Sequence, residues 1–257
     1  MAVAGVDAGS AATKAVIIQN QKAIAHAIVP TGANGKNAST NALEKALAAA
    51  NLTRTDLQNI VSTGYGRRNV GFAENAVTEI TAHAKGAKTL FPAAMTIIDI
   101  GGQDSKVISL DEEGRINNFV MNDKCAAGTG RFLEVMARTM EVSLQDLGEL
   151  SMSAEKPAKI SSMCTVFAES EVVSLVAQGE KREAIIAGLH EAISKRISGM
   201  VKQVGLRREV VFTGGVAKNV GMKASLERVL GLNINIPVEP QIIGAFGAAL
   251  IAEEGIN

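Results

Sequence analysis

Tryptophan is missing from this 257-residue chain, Tyr65 is its only tyrosine, and cysteine occurs twice, at Cys125 and Cys164. So few aromatic side chains exclude a stacking platform for single-stranded nucleic acid. Net charge is missing too. Lys and Arg number 26 against 26 Asp and Glu, and Arg67-Arg68 and Arg207-Arg208 are isolated pairs. No long-range field therefore draws in nucleic acid or an anionic membrane. The longest apolar run, Ile242 to Ala252, is too short to cross a bilayer. Met1-Ala2-Val3-Ala4-Gly5-Val6-Asp7 lacks the basic segment of a signal peptide. A cytoplasmic protein is expected, where structural disulfides are rare and lone cysteines serve metal or redox chemistry. Two nucleotide signatures are absent as well. No G-x-x-x-x-G-K-[ST] occurs, which excludes a P-loop, and no G-x-G-x-x-G opens a helix after a strand, which excludes a Rossmann site. His26, His83 and His190 lack ligand spacing and read as ordinary polar residues.

What is present is a repeat. Asp7-Ala8-Gly9-Ser10-Ala11-Ala12-Thr13-Lys14 and Asp99-Ile100-Gly101-Gly102-Gln103-Asp104-Ser105-Lys106 both fit D-x-G-x-x-x-[ST]-K. Each lies between β-type runs, Val3–Val6 and Ala15–Ile18 in one case, Thr96–Ile98 and Val107–Leu110 in the other. Each therefore reads as a strand, a glycine-rich hairpin turn and a second strand. Glycine lets backbone N–H groups approach an anion closely, as a phosphate requires. An Asp ending the first strand suits Mg²⁺, a hard cation that prefers oxygen and water. Asp7 and Asp99 are thus the candidate Mg²⁺ residues, and Gln103 or Asp104 the candidates to position an attacking water. Lys14 and Lys106 either reach phosphate or are surface lysines, with the two readings about even. A third element, Val210-Val211-Phe212-Thr213-Gly214-Gly215-Val216-Ala217-Lys218-Asn219, reads as a buried strand, a Gly-Gly turn and a helix start. Such a turn can lie against a base or ribose, leaving Asn219 to hydrogen-bond it. Thr63-Gly64-Tyr65-Gly66-Arg67 reads as a polar turn after the strand Asn59–Ser62 that either serves partner docking or only connects elements, the connecting role being favoured.

Each cysteine ends a polar stretch and starts an apolar-periodic one, Asn122-Asp123-Lys124-Cys125 and Ser161-Ser162-Met163-Cys164. Each therefore reads as standing at or near a helix N-terminus, with helices over 126–140 and 165–178, where the helix dipole favours thiolate. Two thiolates cannot complete a tetrahedral zinc or iron–sulfur site, which usually takes four. Two copies of the chain can.

The three nucleotide elements resemble the phosphate-1, phosphate-2 and adenosine motifs of the acetate kinase/sugar kinase/Hsc70/actin superfamily. That resemblance implies an α/β actin-like ATPase fold of two duplicated ribonuclease-H-like domains, with ATP–Mg²⁺ in the cleft. Domain I would cover 1–94 plus 240–257, including a last helix Ile243–Glu254, and domain II would cover 95–239. The nucleotide site would comprise Gly9, Ser10, Ala11, Thr13, Lys14, Gly101, Gly102, Gln103, Gly214, Gly215, Val216 and Asn219, with Gln241 and Gly244 added by the resemblance.

Fold alone does not give function. The cysteine segments, Met121–Phe132 and Cys164–Val172, resemble the activator ATPases of 2-hydroxyacyl-CoA dehydratases, the family that also holds the ATPase subunits of benzoyl-CoA reductase. The likeness spans essentially the whole chain, through Thr63-Gly64-Tyr65-Gly66-Arg67 and Thr213-Gly214-Gly215-Val216-Ala217. It implies a homodimer sharing one 4Fe–4S cluster, with Cys125 and Cys164 of each chain as ligands. It also implies an electron taken from ferredoxin or flavodoxin and passed, with ATP hydrolysis to ADP, to a two-subunit dehydratase. Two other readings are a small-molecule kinase with structural cysteines, disfavoured because no substrate-side Asp motif is evident, and a nucleotide-dependent scaffold, which leaves the paired cysteines unexplained.

Overall fold

The computed structural model describes residues 1–162 and 164–256, so Met163 of the second cysteine segment lies outside the described residues. The chain forms two compact units. Unit 1 comprises Met1–Ile97, Leu110–Asn117 and Pro237–Asn257, and unit 2 comprises Ile98–Ser109 and Asn118–Ile236.

Unit 1 is built on strands β1 (Ala2–Ala8), β2 (Ala12–Gln19), β3 (Lys22–Pro30), β4 (Leu57–Thr63) and β5 (Asn75–Ala76), with helices α1 (Gly35–Ala50) and α2 (Glu79–Leu90). The second sheet uses β6 (Thr96–Ile100), β7 (Ser105–Leu110), β8 (Ile116–Asn122), β9 (Val210–Thr213) and β10 (Ile234–Asn235). With it go α3 (Gly130–Thr139), α4 (Leu147–Met152), α5 (Thr165–Ala177), α6 (Arg182–Val204) and α7 (Val220–Leu230); the last helix, α8 (Ile243–Glu254), belongs to unit 1.

The strand orders are β3-β2-β1-β4-β5 and β10-β9-β6-β7-β8. Read from opposite ends, they are the same arrangement, with β6, β7 and β9 standing where β1, β2 and β4 stand. The duplicated sequence phrase therefore reflects a duplicated sheet. In unit 1, β1 pairs antiparallel with β2 and parallel with β4, so Asp7 lies opposite both Lys14 and Thr63.

Both faces of the first sheet are covered. Ala42, Leu43 and Ala46 of α1 meet Val6, Ile17 and Val29 on one face, and Ala245, Ala249 and Leu250 of α8 meet Val3, Val16 and Ile18 on the other. Small residues let α8 come this close. A Cβ on Gly5 would stand 1.9 Å from the Ala245 carbonyl oxygen, and one on Gly247 1.8 Å from that of Ala82 in α2. In unit 2 the long helix α6 buries Ile185, Leu189, Ile193 and Ile197 against Phe132 and Met136 of α3 and Phe212 of β9.

One expectation fails here. The helix foreseen over 126–140 begins only at Gly130, with Thr129 as its N-cap, so Cys125 does not head a helix. Gly128 adopts φ +85°, and the Thr129 N–H and hydroxyl both donate to the Ala126 carbonyl, at 3.1 and 2.6 Å. That tight turn uses the residues that would otherwise have formed the first helical turn. Cys164 does stand at the N-cap of its helix, α5.

Candidate functional site

The first turn, Gly9-Ser10-Ala11, joins β1 to β2. Asp7 is buried, and its Oδ2 accepts from Lys14 Nζ at 2.9 Å. Glycines hold open the space around this carboxylate. A Cβ on Gly64 would lie 2.5 Å from Asp7 Oδ1, and one on Gly244 3.3 Å from Asp7 Oδ2. Gly9 is held from below, because the Thr31 hydroxyl donates to its carbonyl at 2.7 Å and sits 2.9 Å from the Thr13 hydroxyl. Thr13 is fully buried in that brace, whereas Ser10 is part-exposed and Ala11 exposed at the turn itself. The turn opens onto a hollow of ≈ 500 Å³ lined by Gly9, Ser10, Asn34, Lys36 and Tyr65.

The second turn repeats the plan with a stronger lock. Asp99 Oδ2 and Asp104 Oδ2 flank Lys106 Nζ at 3.3 and 2.7 Å, and the Lys106 side chain is only 1% exposed. Asp99 Oδ1 accepts from the Thr213 hydroxyl at 2.8 Å. The turn closes by Gly101 N–H to the Asp104 carbonyl at 3.0 Å, Gly102 is part-exposed, and Gln103 is exposed at the tip. Neither repeat lysine is a surface residue: each is drawn back along its strand by the Asp seven positions earlier. That excludes the surface half of the sequence reading.

The duplication reaches further than the sequence reading saw. Thr63-Gly64 ends β4 as Thr213-Gly214 ends β9, and both glycines have positive φ, +92° and +88°. A Cβ on Gly214 would stand 2.3 Å from the Ile100 carbonyl oxygen and 3.0 Å from Asp99 Oδ1. Each Thr-Gly thus lets a chain crossing press onto the strand that carries the Asp. Two residues of identity are too short a signal to stand out in a sequence, which explains why the segment looked like a connector. The pairs differ in one respect. Thr213 bonds Asp99, while the Thr63 hydroxyl is buried without a hydrogen-bond partner. Gly214→Ala is expected to destabilise unit 2 by about 2 kcal/mol or more, through left-handed strain and overlap together. Urea unfolding with an unchanged midpoint would contradict this.

Asn219, Gly215 and Val216 lie on the short 3₁₀ turn after Gly214 and at its end. The Asn219 side chain already has two intramolecular partners: its Oδ1 accepts from Met222 N–H at 2.9 Å, capping α7, and its Nδ2 lies 3.2 Å from His190 Nε2. His190 Nδ1 lies 3.0 Å from the Ser151 hydroxyl, which donates to the Gly148 carbonyl at 2.8 Å. His190 and His83 are both buried, not the ordinary polar residues that the sequence suggested. Burial pushes the His190 pKa down to about 4. A histidine with a depressed native pKa binds its proton more readily when unfolded, so its neutral state supports the fold above the unfolded pKa near 6.5 and loses that support as pH falls toward 4. From pH 7 to pH 5.5 about 1 kcal/mol of stability should go through this residue. Denaturant titrations at the two pH values, with His190→Gln as reference, measure it. Gln241 belongs to the 3₁₀ turn ahead of α8, and Gly244 to the first turn of α8, beside Asp7 and His83.

Cys125 and Cys164 are exposed free thiols. The segment carrying Cys125 is tied down by Asn122, whose Nδ2 donates to the carbonyls of Cys125 and Ala127 at 2.9 and 3.1 Å. Helix α3 beyond it rests on the second turn: the N–H groups of Gly130 and Arg131 donate to the Gly101 and Gly102 carbonyls, each at 2.8 Å. Its N-terminal donors thus serve the hairpin turn and not Cys125. The approach to Cys164 is held by Glu171, whose carboxylate accepts from Ser161 N–H and hydroxyl and from Ser162 N–H at 2.8, 2.8 and 3.0 Å. Partial burial opposes ionisation there, yet those bonds hold the Glu171 carboxyl below its usual range. Glu171 thus clamps the segment that leads into Cys164, and Glu169 accepts from Thr139 of α3 at 3.2 Å. Among the described residues no group of three or more His, Cys, Asp or Glu is placed to hold a metal ion.

Two sheets of the same strand order, each with an Asp–Lys hairpin and a Thr-Gly crossing, define an actin-like ATPase fold. Its likeness to the ROK hexokinase of Thermus thermophilus (TM-score 0.54, 15% identity) extends to the fold alone. The chain belongs to the BadF/BadG/BcrA/BcrD ATPase family, whose model matches residues 4–252. It is 46% identical to the 2-hydroxyisocaproyl-CoA dehydratase activator of Clostridioides difficile, over 96% of this chain and 93% of that one. It is 49% identical to the activator of lactoyl-CoA dehydratase of Anaerotignum propionicum, over 97% and 96%. The solved activator of the 2-hydroxyisocaproyl-CoA dehydratase from Clostridium difficile, with bound ADPNP, superposes with a TM-score of 0.95 at 45% identity, covering 99% of this chain and 95% of the other. The protein is an ATPase, and the two relatives just named are dehydratase activators.

Proposed function

We propose that this ATPase activates a 2-hydroxyacyl-CoA dehydratase by delivering to it one low-potential electron per activation, coupled to ATP hydrolysis. The carrying observation is the pair of exposed, unbridged thiols, one of which leads through a braced turn into a helix seated on the second hairpin turn. Soft thiolates without a disulfide suit an iron–sulfur centre. Two per chain supply half its ligands, and a second subunit supplies the rest. Exposed Val166 and Phe167 beside Cys164 favour this, as apolar groups that a partner surface would cover. When bound, a 4Fe–4S cluster stores and releases one electron. Around it, the N-terminal N–H groups of α5, which has no side-chain cap, would favour the added negative charge. Asn122 and Glu171 would hold the two thiol segments in place.

In the nucleotide site, Asp7 and Asp99 would hold Mg²⁺ and the turns 9–11 and 101–103 would receive phosphate oxygens. The glycine-lined space at Asp7 and the orphaned Thr63 hydroxyl fit such a polar occupant. Asp104 is engaged by Lys106, so exposed Gln103 is the better candidate to orient the attacking water. Gly214–Asn219 would receive the adenosine, with Gln241 and Gly244 near it, and the working domains would be 1–94 plus 240–257 and 95–239. Ferredoxin or flavodoxin would supply the electron in the cytoplasm, and a two-subunit dehydratase would receive it. No helix among the described residues is long and apolar enough to cross a membrane.

Iron analysis and electron paramagnetic resonance of anaerobically prepared, dithionite-reduced protein test the reading. About four irons per dimer and an ATP-dependent loss of the reduced signal to added dehydratase are expected. Iron-free protein after reconstitution would sink it. A kinase would instead phosphorylate a hydroxylated metabolite with both cysteines replaced.

A further inference from the structure

The hydrogen-bond chain from Gly148 through Ser151 and buried His190 to Asn219 is part-buried and has a directional logic. The Ser151 hydroxyl gives its hydrogen to the Gly148 carbonyl, so it accepts from His190 Nδ1–H. Nε2 then carries no hydrogen and accepts from the Asn219 amide, whose oxygen is already turned to the N-terminus of α7. Every member is satisfied in only one arrangement, and it ties α4, α6 and α7 together at one point. Space there is tight. A Cβ on Gly221 would stand 1.9 Å from Ser151 Oγ and 3.0 Å from His190 Nδ1, and one on Gly148 3.0 Å from Asn219 Oδ1.

The short turn Gly215–Lys218 is therefore pinned at two ends by different means. Its front end, Thr213-Gly214, is fastened to Asp99 and to the end of β6. Its back end, Asn219, is fastened to His190. We propose that His190 is a positioning residue for nucleoside recognition: it fixes Asn219, and through it the Gly-Gly turn, in the shape that accepts the nucleoside of ATP, without contributing to the grip on the phosphates. This rests on the reading of Gly214–Asn219 as the adenosine element. Breaking the back anchor loosens the nucleoside side of the turn and leaves the Asp99 side fastened. A general loss of packing would weaken both sides together.

The test compares binding of MgATP and of magnesium tripolyphosphate, which lacks the nucleoside, by calorimetry on the full-length protein. His190→Leu removes the acceptor and leaves the part-buried Asn219 amide unpaired. It should weaken MgATP about tenfold and leave tripolyphosphate within about twofold. His190→Gln places an acceptor oxygen near the Nε2 position and should recover most of the loss. Ser151→Ala, a smaller change that no longer holds the Nδ1–H tautomer, should show a partial loss, and it carries the test if the Leu variant does not fold. In a double-mutant cycle, His190→Leu should cost much less on an Asn219→Ala background. Equal losses for both ligands, unchanged MgATP binding in folded variants, or additive effects with Asn219→Ala would each overturn the proposal. MgATP binding unchanged by Asn219→Ala alone would instead overturn the reading of Gly214–Asn219 as the adenosine element beneath it.

Discussion

Cys164→Ser should leave the protein folded, colourless and inactive as an electron donor, with bound iron falling from about four per dimer to near none. The expectation follows from stoichiometry and position. Each chain offers two thiols, so in the proposed dimer-shared centre one substitution would remove two of four ligands. Serine is a hard alkoxide donor with a pKa far above that of a thiol, and it does not replace a soft thiolate on iron. The fold should not suffer, because Cys164 is exposed and its side chain makes no capping bond. Serine is itself a good N-cap, so α5 should be no weaker. Cys125→Ser should give the same iron loss for a different structural reason, since Cys125 stands on a braced turn five residues ahead of α3. ATP hydrolysis without added dehydratase should survive in both. Iron assay, visible absorbance and thermal melting on the same preparations decide it. A variant retaining full iron would remove that residue from the ligand set.

Lys106→Met should produce the largest loss of stability of any single change near the hairpin turns, about 3–5 kcal/mol. Lys106 is almost wholly buried between the carboxylates of Asp99 and Asp104. Methionine fills similar volume, so packing is largely kept and the charge alone is tested. What remains is a buried Asp99 facing Asp104 without the cation between them. Removing one partner of a buried pair costs far more than the pair contributes net, because the other charge stays desolvated. Lys106→Met with Asp104→Asn should regain part of the loss. Guanidinium unfolding measures both. A loss below about 1 kcal/mol would mean that solvent or an ion already screens these carboxylates.

The pair of free thiols, the repeated D-x-G-x-x-x-[ST]-K phrase and the last helix, Ile243–Glu254, were legible along the chain because each is a local pattern. The repeat announced a duplicated sheet because a strand, a glycine turn and a strand need only neighbours in sequence. Local periodicity also placed Cys164 correctly at the head of α5. It misplaced Cys125, because Gly128 and the Ala126–Thr129 turn interrupt an apolar pattern that would otherwise continue as helix.

By itself, then, the sequence determined the α/β class, the two phosphate-type hairpins and the pair of thiols, all properties of contiguous residues. Only the tertiary structure decided what those residues are fastened to. Lys106 is buried because Asp99 and Asp104 converge on it, and Thr63-Gly64 matches Thr213-Gly214 because each crosses over an Asp-bearing strand. Helix α3 rests on the turn Gly101–Gly102, and His190 meets Asn219, a residue 29 positions away. The physical reason is common to all four. Buried charges and backbone donors must find partners, and the partner is fixed by which segments the fold brings together, not by their spacing along the chain.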